Sequence, residues 1–243
     1  MKRKILTGIM LIIFLSVLFQ LPVRAQAEKE ILEKMIQALG GREALAEIKD
    51  TRMTGNMEII QYGMNAPFTM YQKEPDKFRM EMEIMGMNMV QVYDGQKAMM
   101  TNPQSGEIIE LPADQAKTFR RQALGNDATL HPEKYGITYA YKGEETIDGK
   151  KYLVLEQKFQ DGDLVTIYID AATYLIYKQK GKSLGATGTE VETETIFSDY
   201  RKVGKIIAPF SITALQSGIE QMKMTISEIV FNTGLDDSLF VLK

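Results

Sequence analysis

The chain has no cysteine, no tryptophan and a single histidine in 243 residues. Without cysteine there is no disulfide, no thiol nucleophile, no zinc ribbon and no iron–sulfur cluster. One histidine, His131, cannot build a multi-histidine metal site, and a His-dependent triad would need that residue in the one right place. Positive charge is also short. The balance of 29 Lys+Arg against 32 Asp+Glu gives −3, so no basic field exists to hold nucleic acid. What remains is ordinary in its 44% hydrophobic and 25% charged content. Methionine, at 16 residues, is not ordinary.

The first residues read as an address. Lys2, Arg3 and Lys4 form a positive n-region, Ile5 to Leu21 is an apolar run, and Pro22 is expected to break it. Val23-Arg24-Ala25 or Ala25-Gln26-Ala27 supplies the small residues that a signal peptidase requires. The spacing predicts a cleaved signal peptide over residues 1–27 and a single domain over 28–243, with export to the periplasm. The chain then retains 25 basic residues against 32 acidic ones, a balance of −7. Such a protein is not drawn to anionic phospholipid or nucleic acid.

Residues 28–39 place Ile31, Leu32, Met35, Ile36 and Leu39 at helical spacing, and Gly40-Gly41 stops the helix. A short helix over 42–48 follows, and from Thr51 the period changes to two. Strands are expected over 51–62, 67–73, 77–85, 87–93 and 97–102. The 77–85 segment alternates most cleanly, with Phe78, Met80, Met82 and Ile84 opposite Arg79, Glu81 and Glu83. Pro112 and Gly125 bracket an inserted helix over 112–124. Further strands are expected over 137–146, 151–159, 164–170, 174–180, 189–202, 206–216 and 219–231. Asp94-Gly95, Asp148-Gly149 and Asp161-Gly162 mark turns. Together these segments predict an α+β fold: one continuous antiparallel meander, curved because so large a sheet does not stay flat. So few helices leave its apolar concave face incompletely filled.

Eleven of the 16 methionines lie between Met53 and Met100. Methionine is flexible and polarizable and lines surfaces that accommodate varied apolar partners. A copper site at Met85-Gly86-Met87-Asn88-Met89 is the soft-metal alternative, but Met80 and Met82 share a strand face with Phe78 and Ile84. No metal is assigned. Glu190, Glu192 and Glu194 alternate along one strand and read as a solvated or edge-blocking face rather than an acid–base pair. Gly181-Lys182-Ser183-Leu184-Gly185 matches G-x-S-x-G by letter, yet no helix follows and the only histidine precedes it. The segment Gly143 to Lys150 reads as a hairpin rather than a phosphate loop. No catalytic residue and no cofactor are assigned.

Several short motifs resemble outer-membrane lipoprotein-sorting proteins of the LolA-like superfamily. They are Ala38-Leu39-Gly40-Gly41 with Glu43-Ala44-Leu45 and Ile48-Lys49, Ala66-Pro67-Phe68-Thr69-Met70-Tyr71, Pro75-Asp76-Lys77-Phe78-Arg79 and Tyr93-Asp94-Gly95. Asp199-Tyr200-Arg201 with Pro209, and Asp236-Asp237-Ser238-Leu239-Phe240, complete them. The resemblance implies an incomplete antiparallel barrel whose helices cover an apolar cavity for acyl chains. It departs where a Trp often follows the Asp-Gly turn, here Gln96-Lys97-Ala98-Met99, and at Val203-Gly204-Lys205. The expected lining is Met53, Met57, Ile59, Phe68, Met70, Phe78, Met80, Met82 and Ile84, with Leu153, Leu155, Val165, Ile167, Ile169, Met222, Met224 and Ile226. The expected role is a monomeric, non-enzymatic periplasmic binder of lipoprotein anchors or lipid, served by an inner- or outer-membrane partner protein. The alternative is an envelope sensor or scaffold that binds a partner protein with the same fold.

Overall fold

The computed structural model of the protein describes residues 20–102, 104–184 and 189–242. The basic n-region, most of the apolar run, and Gly185 of the G-x-S-x-G segment with residues 186–188 after it lie outside them. Helix α1 (Gln20–Leu39) runs through both expected cleavage positions and through Pro22. Pro22 was expected to break the apolar run, and the described helix continues through it. No helix among the described residues is long and apolar enough to cross a membrane.

Helix α1 ends through two hydrogen bonds, Gly41 N–H to the Ile36 carbonyl at 2.9 Å and Gly40 N–H to that of Gln37 at 3.1 Å. Gly40 has φ 131°, and a β-carbon there would stand 2.6 Å from the Lys205 carbonyl oxygen. Glycine therefore serves both the reversal and the close approach. Helix α2 (Arg42–Ala46) follows at once. The two helices bury Ile36, Ala44, Leu45 and Ile48 against Leu130 and Ile206.

Thirteen antiparallel strands form one open sheet. The first six are β1 (Asp50–Ile59), β2 (Met64–Lys73), β3 (Lys77–Ile84), β4 (Met87–Tyr93), β5 (Ala98–Thr101) and β6 (Ile108–Glu110). Helices α3 (Ala113–Ala123) and α4 (Asn126–Leu130) intervene. The second group is β7 (Thr138–Ile147), β8 (Lys150–Lys158), β9 (Leu164–Asp170), β10 (Ile176–Leu184), β11 (Glu190–Val203), β12 (Ile206–Gln216) and β13 (Ile219–Phe231).

The sheet order is β6-β5-β4-β3-β2-β1-β13-β12-β11-β10-β9-β8-β7. This corrects the expectation of one continuous meander. There are two, and they join where β1 pairs with β13, from Thr51 opposite Phe231 to Ile59 opposite Met222. The buried Asp50 carboxylate fixes the crossing, accepting hydrogen bonds from the amides of Thr233 (2.7 Å), Gly234 (3.0 Å) and Leu235 (3.3 Å). The expected strand over 51–62 stops at Ile59, and a 3-10 turn, Ile60–Tyr62, takes its end.

The edge-blocking reading of Glu190, Glu192 and Glu194 also changes. Their strand, β11, lies inside the sheet between β10 and β12. The three carboxylates instead meet a matching row of lysines on β10: Lys182–Glu190 at 2.6 Å, Lys180–Glu192 at 2.9 Å and Lys178–Glu194 at 2.9 Å. Cross-strand opposite charges at period two are the stabilising arrangement for a polar sheet face.

Candidate functional site

The face opposite that ladder carries the apolar residues. One register row runs across nine strands: Tyr141, Leu155, Ile167, Gln179, Thr195, Ala214, Met222, Ile59 and Met64. A second runs from Ile229 through Met53, Met70, Met80, Gln91 and Met100 to Ile109. Period-two alternation puts all of these side chains on one surface.

Methionine opposes methionine repeatedly on this surface. Met53 faces Met70, Met70 faces Met80, Met82 faces Met89, and Met57 faces Met224. Directly opposed β-carbons stand about 4.5–5.5 Å apart, so these thioethers form a contiguous wall of unbranched, rotatable side chains. The Phe68 ring lies over β1 because position 55 is glycine. A β-carbon there would meet the ring at 2.9 Å and the Thr225 carbonyl oxygen at 2.3 Å.

All seventeen residues of the expected lining lie in two apolar clusters. Met57, Phe68, Phe78, Met80, Met82, Met224 and Ile226 are buried in the first, with Met53, Ile59, Met70, Ile84 and Met222 partly buried against it. Leu153, Leu155, Ile167 and Ile169 are buried in the second, with Val165 partly buried. In the long row, Gln179, Thr195 and Ala214 stand between the two clusters, so a polar and small strip divides the face. The sequence reading had one undivided lining. Nothing in the local alternation distinguishes Gln179 or Thr195 from other half-buried strand residues.

Each cluster has its own helix. Helix α3 lays Ala116, Phe119 and Ala123 on the methionine-rich cluster. Helix α1 lays Ile31, Leu32 and Met35 on the leucine- and isoleucine-rich one. Met89, Phe119, Phe210, Ile212, Tyr139 and Tyr141 also belong to these clusters and were missed. The spacing of Ala116, Phe119 and Ala123 at i, i+3 and i+7 was a usable signal. Tyr139 adds a polar tip on this face: its hydroxyl accepts from Gln157 Nε2 at 3.2 Å, and burial pushes its phenol up to about 12.

The outer side of α3 is held by charge. Lys117 lies 3.1 Å from Asp163, Arg120 lies 3.1 Å from Asp161, and Arg121 lies 3.2 Å from Asp161. Arg121 also pairs with Asp163, and its guanidinium stacks 4.6 Å from the Phe159 ring. The hydrogen bond from Arg121 holds the Asp163 carboxyl below the usual carboxylate range. Both acids sit in the turn between β8 and β9, so this network ties α3, which packs on the first half of the sheet, to the second half. Just past the C-terminus of α3, at the start of α4, the Glu74 carboxylate accepts from the amides of Asn126 at 2.6 Å and Asp127 at 3.2 Å. Burial pushes that carboxyl up.

Two surface concavities, of about 410 and 250 Å³, lie away from the expected lining. The first is bordered by Lys150, Lys151, Asp170, Ala171 and Ala172, the second by residues of the α3 network with Lys134, Tyr135 and Phe159. Ser183 sits within strand β10, opposite Val191, not on a strand-to-helix turn. His131 joins α4 to a 3-10 turn. Among the described residues no cluster of three or more His, Asp or Glu could hold a metal ion.

No family profile matches the sequence, and no curated protein matches it. Solved structures do resemble it. An outer membrane lipoprotein-sorting protein domain from Vibrio parahaemolyticus has a TM-score of 0.60 at 14% identity, over 88% of this chain and 97% of that one. A LolA superfamily protein from Nitrosomonas europaea has a TM-score of 0.58 at 16% identity, over 88% and 97%. A DUF1329 family protein from Desulfovibrio piger has a TM-score of 0.59 at 14% identity, over 88% and 96%. At such identities the likeness speaks for the fold, and the fold is LolA-like: an open, incomplete barrel.

Proposed function

We propose that the protein binds acyl chains on its concave face and carries them, as lipoprotein anchors or as lipid, without catalysing a reaction. The observation that supports this most is the wall of opposed methionines beneath α3. Unbranched thioether side chains rotate at low cost, so the wall can re-pack around an inserted chain. A rigid valine and isoleucine face would leave gaps. Each methylene withdrawn from water contributes about 0.8 kcal/mol, so even part of a long chain suffices for useful affinity. Residues 1–27 would act as a cleaved leader that delivers the carrier to the periplasm.

The methionine-rich half is the better candidate for entry. Met53, Ile59, Met70, Ile84 and Met222 are only partly buried there, and the α3 network is among the connections that must loosen. Native mass spectrometry followed by solvent extraction tests the reading. Acyl species should be released from the purified chain, or taken up when a fluorescent fatty acid is added. A clean mass with no uptake would remove the proposal and favour a sensor or scaffold that binds protein alone.

A further inference from the structure

Large apolar side chains that stand in solvent are not scattered over this molecule. Among the described residues, Ile60, Tyr62, Met85, Met87, Leu164 and Ile219 lie at strand ends on one end of the sheet. Ile108 and Ile109 lie on the short edge strand β6 beside them, and only Val241 is elsewhere. The most exposed are Met85 at 81%, Ile219 at 67% and Tyr62 at 66%. They occupy three turns that neighbour one another in sheet order: β3–β4, β1–β2 and β12–β13.

Local turn chemistry does not account for them. Met85 has φ 54° and precedes Gly86 at φ 75°, a turn in which Asn, Asp or Gly is the usual first residue. The opposite end of the same sheet follows that rule with Asp94-Gly95, Asp148-Gly149 and Gly204-Lys205. Acidic charge outweighs basic charge at these three turns: residues 58–65, 83–89 and 216–223 contain Glu58, Glu83 and Glu220 against Lys223, which lies opposite Glu58. Just inside the tips the apolar surface continues. Ile84 pairs with Met87, Ile59 with Met64, and Ile59 with Met222, and these lead onto the methionine wall.

We infer that this end of the sheet docks on the surface of a lipid bilayer carrying no net charge and dips its three turn tips into it. Separate projecting tips suit a fluid that closes around each, and an exposed tyrosine beside aliphatic residues suits the interfacial layer. With three Glu against one Lys, the three turns carry net negative charge, which gives no attraction to anionic headgroups. The inference deepens the acyl-binding reading, and it rests on that reading for the purpose of docking: a chain could pass between bilayer and interior without crossing water.

Because the chain lacks cysteine, Met85→Cys and Gln96→Cys each provide one attachment point for an environment-sensitive dye. Gln96 is exposed in the polar turn between β4 and β5, at the opposite end. With phosphatidylcholine vesicles the dye at 85 should brighten about threefold as it leaves water, and the dye at 96 should not change. Adding Ile60→Ser, Tyr62→Ser and Ile219→Ser to Met85→Cys should abolish the signal. No change at 85, an equal change at 96, or tighter binding to phosphatidylglycerol vesicles overturns the inference. So does self-association that shields position 85 without vesicles. Acyl species in the mass spectrum without dye insertion would sink docking alone. Dye insertion without acyl species would support docking and sink the carrier.

Discussion

Met82→Glu is the sharpest probe of the concave interior. Met82 is 8% exposed; its cross-strand partners are Phe68 and Met89, and the same-face positions before and after it are Met80 and Ile84. No cation stands in that row. A carboxyl group buried there should have its pKa raised by about 3 units. At roughly 1.4 kcal/mol per unit, the charged form costs about 4 kcal/mol near neutral pH, out of a total stability of about 5–15 kcal/mol. The sign follows from linkage: a folded-state pKa above the unfolded one means that the native protein holds the extra proton. The variant should therefore regain stability as pH falls through its raised pKa, keeping only a packing loss of about 1–3 kcal/mol. Urea unfolding followed by circular dichroism at pH 8 and pH 5 measures both quantities. The neighbouring exposed Glu83→Ala should stay within about 0.5 kcal/mol of the parent at either pH. A Met82→Glu protein within about 1 kcal/mol of the parent at pH 8, with no recovery at pH 5, would refute the assignment of this strand face to the interior.

Two further tests bear on the helices. Replacing Asp161 and Asp163 together by Asn should loosen α3 by about 1–2 kcal/mol, since the pairs are partly exposed and individually weak. Faster amide exchange over residues 113–123 would report it, and unchanged exchange would mean that these ion pairs do not hold the helix. Because the Asp163 pKa is lowered, its share of the attachment is present above the usual carboxylate range. That share is lost as pH falls through the depressed value, and parent and variant should converge there. Gly40→Ala places a β-carbon 2.6 Å from the Lys205 carbonyl oxygen at φ 131°, and should cost at least about 2 kcal/mol in urea unfolding. A loss under 0.5 kcal/mol would show that α1 and the β11–β12 turn part easily.

Elements with a strong local period were readable in the sequence. Phe78, Met80 and Met82 alternate with charged residues, and the structure buries those three on one face of β3. Gly40-Gly41 stops α1 where it was expected to. The short elements β6 and α4 were not expected, and neither is long enough for a period to show. Partnership was the larger loss. That β1 lies beside β13 depends on which rows match across the whole sheet, and no local signal carries it. The same holds for Lys117, Arg120 and Arg121, whose acidic partners lie some forty residues away and on another element. The seventeen residues of the expected lining lie in apolar clusters because burial follows alternation. Their division into two clusters by Gln179 and Thr195 was not readable, because it needs the register.

The seam between β1 and β13 also governs how the chain must come together. Thr51 and Phe231 are among the most distant partners in the sequence, and neither meander is closed until they meet. As the chain is made, β1 exists long before β13 and presents a free strand edge flanked by methionines. The N-terminal half is thus a template without a partner for most of synthesis. Loop closure over so long a span is slow, and an unpaired apolar edge invites pairing with another copy. A protein so arranged gains from being kept unfolded until its last strand is available. Loss of β13 alone should leave two sticky half-sheets rather than two smaller domains.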